Sequence, residues 1–502
     1  MNRWTALLAL ALAVPAVSAA QEPAPAATLT LEEALGQARR NSPAYRQVAN
    51  DIGPARASVR SAYGAFLPSF SADAGFGYTG AGQSSFGGTF FDQSSPSMNS
   101  SWGLGLNWQL SGRVLAAPAT QKALRRATEA EIDNALVGLD ADVTVQYLTA
   151  LQAAAQVTVA RQQVERNQEF LDLARARHQV GQATLLDVRQ AEVTKANSDV
   201  ALLRAEQSAN EAKLELLRIM GVTPPVAVEQ IALTDSFPVA APTWELEQLL
   251  ATADRENATL RSAVAREHAA DVQVTAARSE YLPSLSVTAG WSGFTQEFTD
   301  ENLLISQQLR SAQGAFANCE TQNVIRTGIS TPLDPIDCYA ASGLAPGGGA
   351  LNDDVANAIR QQNSVFPFDY TGQPFRANLT VTVPIFTGFS RGLRIAEARA
   401  QADDASEFYR AQQLQVRTTV HQRLLAVRTA YQASQVQETS VAAAREQLQL
   451  AQDRYRLGSG TSLELADAQT AVAQAETDLV NAVYDYHKAI AVLEAAVGRP
   501  LR

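Results

Sequence analysis

Side chains that commonly carry out enzyme chemistry are few in this sequence, and they are scattered. The chain has 4 histidines, and none forms a two-histidine helical pair or joins a cysteine, so neither a zinc site nor a catalytic triad emerges. The run Gly458-Ser459-Gly460 lacks the third glycine, the preceding strand and the lysine of a nucleotide-binding loop. The sequence therefore predicts no cofactor site and no metal site, and it predicts a protein that is not an enzyme.

The 2 cysteines, Cys319 and Cys338, lie in one segment rich in glycine, serine and asparagine. Residues 1–20 combine a positive charge at Arg3, a short apolar run and a small-residue cleavage site, which is the pattern of a secretory signal. Exported compartments oxidise cysteine pairs, so we expect a disulfide between the two cysteines. The alternative for the N-terminus is a retained anchor helix, but its apolar run is shorter than the ~20 residues that span a bilayer.

Charge and hydropathy limit the partners of the chain. The net charge of -11 argues against nucleic acid as a partner, because a phosphate-binding surface needs clustered lysine and arginine. Beyond the signal no run of 18 apolar residues occurs. Any insertion into a membrane must therefore use strands.

The elements of the chain occur twice. RHQVGQATLLDVRQAE (177–192) matches RYRLGSGTSLELADAQ (454–469) at a shift of 277 positions, and the Leu-Pro-Ser run at 67–69 recurs at 282–284 at a shift of 215. The difference of 62 residues predicts a loop insertion in the second half, at about 293–376. We therefore divide the mature chain into two structural repeats, residues 21–235 and 236–502.

The sequence of each repeat predicts the same order of elements: a helix, two strands, a long helix, a glycine break and a shorter helix. Alternation of apolar and small polar residues indicates the strands, and alanine-rich sequence with a 3.5-residue period indicates the helices. A proline in the first turn marks the start of the first helix, with a kink expected at Gly53-Pro54. The predicted helices are 43–63, 113–178 and 185–220 in the first repeat and 256–279, 392–455 and 463–497 in the second; the predicted strands lie near 66–78, 102–110, 281–291 and 379–385.

The four strands have one aromatic or aliphatic face and one face of serine, glycine and threonine. Because ~9 to 11 tilted residues cross a bilayer, we expect them to span a membrane; a soluble sandwich with one buried face is the alternative. Four strands leave open edges in hydrocarbon, so several chains must share one barrel, and three chains give twelve strands around a passage. In each repeat the long helix is expected to form one continuous column, and the two shorter helices, placed end to end, a second column. The helices of one chain are therefore expected to form four columns. A short helix at 31–40, with Thr30 and Glu33 as a capping box, and the segment 222–243 are expected to fill the middle.

The sequence resembles the TolC family of outer membrane efflux and secretion channels. The paired Leu-Pro-Ser entries, VTVPIFTG (381–388) and RYRLGSGTSLELADAQ carry the resemblance, which covers nearly the whole mature chain. It implies an α+β membrane protein and a homotrimer, with a shared 12-stranded barrel in the outer membrane of a Gram-negative bacterium and a tunnel of long periplasmic α-helices. It also implies outer membrane lipid, a periplasmic adaptor (membrane fusion) protein and an inner membrane pump of the resistance-nodulation-division or ABC type as partners.

The resemblance assigns roles to residues beside the glycine breaks. It implies that the turns dock the adaptor through Val180, Gly181, Thr184, Leu457, Gly458 and Thr461. It further implies a periplasmic gate, with Asp187 and Tyr455 as a linking pair and Glu464 and Asp467 as an acidic ring around the pore. Gly460 stands where the type member of the family has arginine, so that link is missing. The alternatives are turns that only reverse the chain and carboxylates that are only solvated.

A coiled-coil rod or adhesin of the cell envelope is the competing interpretation of the whole chain. It explains the helical period but not the duplicated strands, and a channel is therefore favoured. The sequence leaves drug efflux, metal efflux and protein secretion open, with small-molecule drug efflux as the first expectation.

Overall fold

The computed structural model describes residues 27–86, 89–224, 227–328, 330 and 333–501. The predicted signal segment at 1–20 lies outside the described residues. The described chain separates into two compact units. The strand unit comprises Val59–Ala119 and Thr275–Ala396, and the helical unit comprises the described residues up to Ser58, Thr120–Val274 and the residues from Glu397 onward.

The described elements follow the duplicated order of the sequence. The strands are β1 (Ala27–Leu29), β2 (Ser69–Thr79), β3 (Gly82–Phe86), β4 (Thr89–Ser94), β5 (Ser97–Leu110), β6 (Ile231–Leu233), β7 (Ser284–Phe298), β8 (Thr371–Gly372) and β9 (Arg376–Thr382). The helices are α1 (Leu31–Asn41), α2 (Pro43–Ala49), α3 (Ile52–Gly64), α4 (Gly112–Gln179), α5 (Leu185–Met220), α6 (Leu246–Glu256), α7 (Ala258–Ser279), α8 (Glu301–Gly328), α9 (Cys338–Ser342), α10 (Asp353–Asn363), α11 (Ser390–Arg456) and α12 (Ser462–Val497).

The strand unit contains an open antiparallel sheet in the order β2-β5-β7, with β8 and β9 both paired to the far side of β7. Its register pairs Ala72 with Leu104 and Leu106 with Ala289. The four predicted strands are confirmed, although β9 ends at Thr382 because Pro384 lacks the N–H that would continue the ladder. Among the described residues, β2 and β9 each pair on one side only, so both edges of the sheet are open.

The apolar face of this sheet is exposed within the chain. Phe70 is 77% exposed on β2 and Leu379 is 68% exposed on β9, and Trp291 of β7 stacks at a tilt on Phe375. Burying such side chains is worth roughly 1.5–3 kcal/mol each, so an aqueous environment for this face is unfavourable. The exposed face favours a hydrocarbon environment over a soluble sandwich.

The insertion predicted as a loop at 293–376 is instead largely helical. It contains α8, α9 and α10, and a small core that includes Ala312 of α8 and Ala356 of α10 lies within it. The prediction was wrong because it extended the glycine- and serine-rich composition around the short α9 to the whole insertion, whereas Ile305, Leu309, Ala312 and Phe316 recur at helical spacing along α8. A disulfide joins Cys319 of α8 to Cys338 of α9. The shorter loop of the first repeat likewise holds a hairpin, β3 and β4.

The helical unit contains most of the four long helices. The structure ends α4, α5, α11 and α12 within two residues of every predicted boundary. Gly221 and Gly498 cap α5 and α12 with positive φ angles of 71° and 93°, which suit glycine because it has no Cβ. We refer to α4, its turn and α5 as the first hairpin, and to α11, its turn and α12 as the second hairpin.

Short elements pack against the long helices in the helical unit. The predicted capping box is confirmed, because Thr30 accepts from Glu33 N at the start of α1. β1 pairs in parallel with β6, beside a core that includes Tyr147 and Met220. A second core around Leu424 and Leu493 serves the second repeat.

The predicted helix 43–63 is two helices, α2 and α3. Its break lies at residues 50–51 and not at the predicted kink of Gly53-Pro54. Pro54 stands in the first turn of α3, where a backbone N–H has no intrahelical partner and its loss costs nothing. In the second repeat the corresponding helix is α7, which is preceded by α6. Asn257 lies between the two helices, and its Oδ1 accepts from Leu260 N at 3.0 Å in the first turn of α7.

Candidate functional site at the two helix turns

Glycine reverses the chain at both hairpin turns. Gly181 and Gly458 have φ angles of 76° and 79°, a left-handed conformation that costs other L-residues roughly 1–2 kcal/mol. The N–H of Gln182 donates to the Arg177 carbonyl at 2.8 Å, and the N–H of Ser459 donates to the Arg454 carbonyl at 2.9 Å. The two turns therefore end α4 and α11 with the same backbone hydrogen bond.

Threonine then starts the returning helix in each hairpin. Thr184 forms a reciprocal capping box with Asp187, whose N–H donates to Thr184 Oγ1 at 3.3 Å and whose Oδ2 accepts from Thr184 N at 2.8 Å. The Thr461 hydroxyl accepts from Glu464 N at 3.2 Å, but among the described residues the Glu464 carboxylate makes no return bond to Thr461 N. The Glu464 carboxylate instead lies 3.7 Å from Arg454, so the two turns differ in what their acidic residue binds.

Asp187 joins the two hairpins through Ser462. Ser462 Oγ donates to Asp187 Oδ1 at 2.6 Å and also lies 3.3 Å from Gln190 Oε1. Donation by Ser462 is the main reason that the pKa of the Asp187 carboxyl is lowered, with further contributions from Thr184 and the positive charge of Arg177. Asp187 therefore stays ionised at neutral pH and accepts from both hairpins.

Tyr455 is buried where α4 and α11 meet. It is 3% exposed, its ring packs edge-on against Phe170 at 5.7 Å, and the Arg177 guanidinium lies 4.6 Å from its ring centroid. Arg177 Nη1 also donates to the Tyr455 carbonyl oxygen. Burial raises the pKa of the Tyr455 hydroxyl, so this side chain is neutral.

The predicted direct link between Asp187 and Tyr455 is absent from the described residues. The Tyr455 hydroxyl is buried and has no hydrogen-bond partner among them, and the Asp187 oxygens accept from Ser462 and Thr184 instead. The prediction missed Arg177 and Ser462, which make the contacts between the hairpins. Arg177 was visible as a position shared by both repeats, but Ser462 was not, because Leu185 stands at the matching position.

The residues of the predicted acidic ring are solvent-accessible. Glu464 and Asp467 are both exposed on α12, and their grouping around a pore stays a prediction. Gly460 is closely confined, because a Cβ there would lie 3.1 Å from Arg454 Cβ and from Tyr455 N. A larger side chain at this position requires the turn to shift.

The predicted docking residues lie at the outermost part of the turns. Val180 is 69% exposed and Leu457 is 84% exposed. Beside them a cavity of 430 Å³ separates α5 from α12 and is lined in part by Leu186 and Leu463, which are themselves exposed. Apolar groups in contact with water at both turns form a surface that a partner could cover.

A buried ionic cluster lies farther along the hairpins. Glu476 of α12 is 6% exposed and accepts from Arg166 of α4 at 3.0 Å and from Arg445 of α11 at 2.9 Å. Arg445 lies within the second hairpin, whereas Arg166 belongs to the first, so one carboxylate connects both. No periodic pattern in the sequence indicates this contact.

Two further features bear on function. Among the described residues, no group of three or more histidine, cysteine, aspartate or glutamate side chains could hold a metal ion. Likewise, none of the helices that the structure describes combines the length and apolar character needed to cross a membrane.

The duplicated hairpins and the open antiparallel sheet define a class of protein. The family model for outer membrane efflux proteins matches residues 34–222 and 355–499, which together make up more than half of the chain. The chain therefore belongs to the outer membrane efflux protein family, and the resemblance to TolC is confirmed. This family places it in the outer membrane, with a periplasmic extension.

Individual relatives differ in how much of the chain they match. The pyoverdine export outer membrane protein OpmQ of Pseudomonas aeruginosa is 32% identical over 188 residues, which are 36% of this chain and only 38% of the relative. The outer membrane protein TolC of Vibrio cholerae is 22% identical over 474 residues, 93% of this chain and 90% of that protein. The crystal structure of the Campylobacter jejuni CmeC outer membrane channel has a TM-score of 0.65 and 14% identity, with 97% of this chain and 94% of that chain covered. The structural match shows the shared fold.

Proposed function

We propose that three copies of this chain form an outer membrane channel that carries small molecules out of the periplasm as part of a tripartite efflux system. The open sheet of the strand unit carries the proposal. Its edge strands β2 and β9 leave backbone donors and acceptors without partners, and a hydrocarbon environment makes each such group cost several kcal/mol. Sister chains on both edges satisfy them, and three chains of four strands close a barrel that is wide enough for passage.

The helix turns are the proposed contact with the rest of the system. Val180 and Leu457, exposed at the two turns, would be covered by a periplasmic adaptor protein, which in turn joins an inner membrane pump of the resistance-nodulation-division or ABC type. Export of a small molecule is supported by the relative OpmQ, whose name assigns it pyoverdine export. Type I protein secretion uses the same architecture and is the alternative transport role.

The assembly can be tested on the purified protein. Its mass in detergent, measured by native mass spectrometry, is expected to be that of three chains, and the same sample is expected to give stepwise conductance in a planar bilayer. A folded monomer in detergent would contradict the shared barrel. A stable trimer with no conductance under any condition would favour the rod or adhesin.

The partners can be tested in cells. Deletion of the gene is expected to increase intracellular accumulation of a fluorescent efflux substrate, and affinity purification of the chain is expected to recover an adaptor and a pump. Recovery of an ABC pump with an unchanged accumulation of the dye would replace the small-molecule role with protein secretion.

A further inference from the structure

A basic cavity lies in the strand unit where the sheet meets the starts of the long helices. It has a volume of 270 Å³ and is walled by the ends of β5, β7 and β9 and by the first residues of α4 and α11. Gln109, Ser284 and Thr382 contribute side chains from the polar faces of the strands. In the proposed barrel these polar faces line the passage.

The charges around this cavity are not balanced. Arg113, Arg391 and Arg394 line it, and Glu280 is the one carboxylate in its lining. Arg394 Nε lies 3.0 Å from Glu280 Oε2, so this carboxylate is already paired. The cavity therefore carries a formal excess of two positive charges.

The other two guanidinium groups differ in how they are held. Arg391 Nη1 donates to the Pro384 carbonyl at 3.1 Å, and its guanidinium lies 5.4 Å from the ring centroid of Tyr281. The Arg113 side chain is exposed and has no hydrogen bond or ion pair with any residue that the structure describes. The cavity thus offers one oriented guanidinium group and one whose donors are all available to a ligand.

The helix starts add to the positive potential. Arg113 and Arg391 occupy the first turns of α4 and α11, and neither of these first turns contains an acidic residue. Backbone N–H groups make a helix N-terminus positive, so cations there are unfavourable unless an anion is close. Gly112 holds the start of α4 against α7, because a Cβ at this position would lie 1.7 Å from the Ser279 carbonyl oxygen.

We infer that this cavity binds an oxyanion, a carboxylate or a phosphate group, through Arg113 and Arg391. Planar guanidinium groups bind such anions with two parallel hydrogen bonds, and the serine and threonine hydroxyls of the strands can add further donors. The inference deepens the proposed function, on which it rests: the channel would favour cargo that carries an acidic group. The same chemistry is present in an anionic lipid headgroup, which the experiment below distinguishes.

Binding of inorganic phosphate to the purified protein tests the site directly. Phosphate affinity is measured by ³¹P line broadening at constant ionic strength, in nanodiscs of phosphatidylcholine. Arg113→Gln is expected to weaken binding at least tenfold, and the charge reversal Arg113→Glu is expected to abolish it. Arg310→Gln removes the same charge from an exposed position on α8, outside the cavity, and is expected to leave the affinity unchanged. The Arg113 side chain has no partner to lose among the described residues, and circular dichroism checks that both variants keep the wild-type helix content.

The outcomes separate this inference from the proposed channel. Equal phosphate affinities for wild type and Arg113→Gln overturn the inference, and so does a variant that loses only trimer stability. Stepwise conductance without phosphate binding overturns the site alone, and phosphate binding without conductance overturns the channel alone. In nanodiscs that also contain phosphatidylglycerol, loss of phosphate binding assigns the site to a lipid headgroup, whereas retained binding assigns it to soluble anionic cargo.

Discussion

At the scale of single residues, the contact between Ser462 and Asp187 connects the two hairpins. It is short at 2.6 Å, and its acceptor is a carboxylate whose pKa is lowered by that same donation. Ser462 is 8% exposed, so water competes poorly for its hydroxyl. The contact therefore holds α5 and α12 together near the turns.

We expect Ser462→Ala to increase the conductance of the resting channel. Loss of a hydrogen bond to a charged acceptor costs about 1.5–3 kcal/mol, which is roughly a 10- to 150-fold shift in an equilibrium between closed and open turns. Single-channel recordings measure the open probability directly. Ser440→Ala, an exposed serine on α11, is the control, and equal open probabilities for the two variants would remove Ser462 from the gate.

The pH dependence of the same contact follows from the lowered pKa of Asp187. A carboxyl group whose pKa is lower in the folded state stabilises the fold above its unfolded pKa of about 3.9, and this stability is lost as the pH falls through the lowered folded value. The difference in melting temperature between wild type and Asp187→Asn should therefore be constant from pH 7 to pH 5 and shrink below pH 4. Asparagine leaves the bond from the backbone N–H of residue 187 to Thr184 Oγ1 in place but has only one accepting oxygen for Thr184 and Ser462, so the pH dependence of the difference, and not its size, reports the charge. A difference that is independent of pH down to pH 3 would contradict the assignment.

At the scale of elements, the glycine turns set where each hairpin reverses. Gly181→Ala and Gly458→Ala should each destabilise the helical unit by roughly 1–2 kcal/mol, because both residues have positive φ. Gly138→Ala, inside α4, is the control, and it is expected to change stability in the opposite direction. No atom lies within 4 Å of a Cβ at that position, and an alanine in a helix interior stabilises by roughly 0.5–1 kcal/mol. Thermal unfolding followed by circular dichroism compares the three, and a stabilised Gly181→Ala variant would contradict the left-handed turn.

The buried ionic cluster around Glu476 connects the two hairpins at a second position, farther from the turns. Glu476→Gln should destabilise the protein by about 3 kcal/mol, since it leaves the partly buried Arg166 without its carboxylate partner. Arg445→Gln should cost less, because Arg445 is mostly exposed and Arg166 remains to pair with Glu476. Glu446→Gln, which is exposed on α11, is the matched control. Equal melting temperatures for Glu476→Gln and Glu446→Gln would show that the cluster adds no stability.

The sequence specified elements better than contacts. The long helices were predictable because glycine ends them and because each occurs twice, so one copy supports the interpretation of the other. Arg177 and Ser462 were missed because contacts between hairpins depend on the rotation and stagger of packed helices, which no local pattern records. The helix α8 was missed for a different reason: its apolar stripe of Ile305, Leu309, Ala312 and Phe316 has no counterpart in the first repeat, so no second copy supported its interpretation as a helix.

At the scale of the whole molecule, charge is distributed unevenly along the proposed passage. Glu464 and Asp467 are exposed near one turn, whereas three arginines line the cavity of the strand unit. Each unit thus contributes its own local field, and in the proposed trimer the three copies would strengthen both fields. The ion selectivity of the channel depends on the balance between these acidic and basic regions.

We expect the double variant Glu464→Gln, Asp467→Asn to shift the reversal potential of the channel toward anion preference. Rings of carboxylates concentrate cations at a constriction, so their neutralisation lowers the ratio of cation to anion permeability. The reversal potential under a potassium chloride gradient measures this ratio. Glu446→Gln is again the control for loss of an exposed charge, and an unchanged potential in the double variant would place both residues outside the pore.

The two turns descend from one repeated unit, yet Leu185 in the first is 57% exposed while its counterpart Ser462 in the second is buried. A threefold rim built from this chain would therefore be only pseudo-sixfold, with two kinds of tip in alternation. Any ligand that meets all six tips would find two inequivalent classes of position. Its binding isotherm would show two phases with a stoichiometry of three each. The two phases would report that the two repeats are no longer equivalent at their turns.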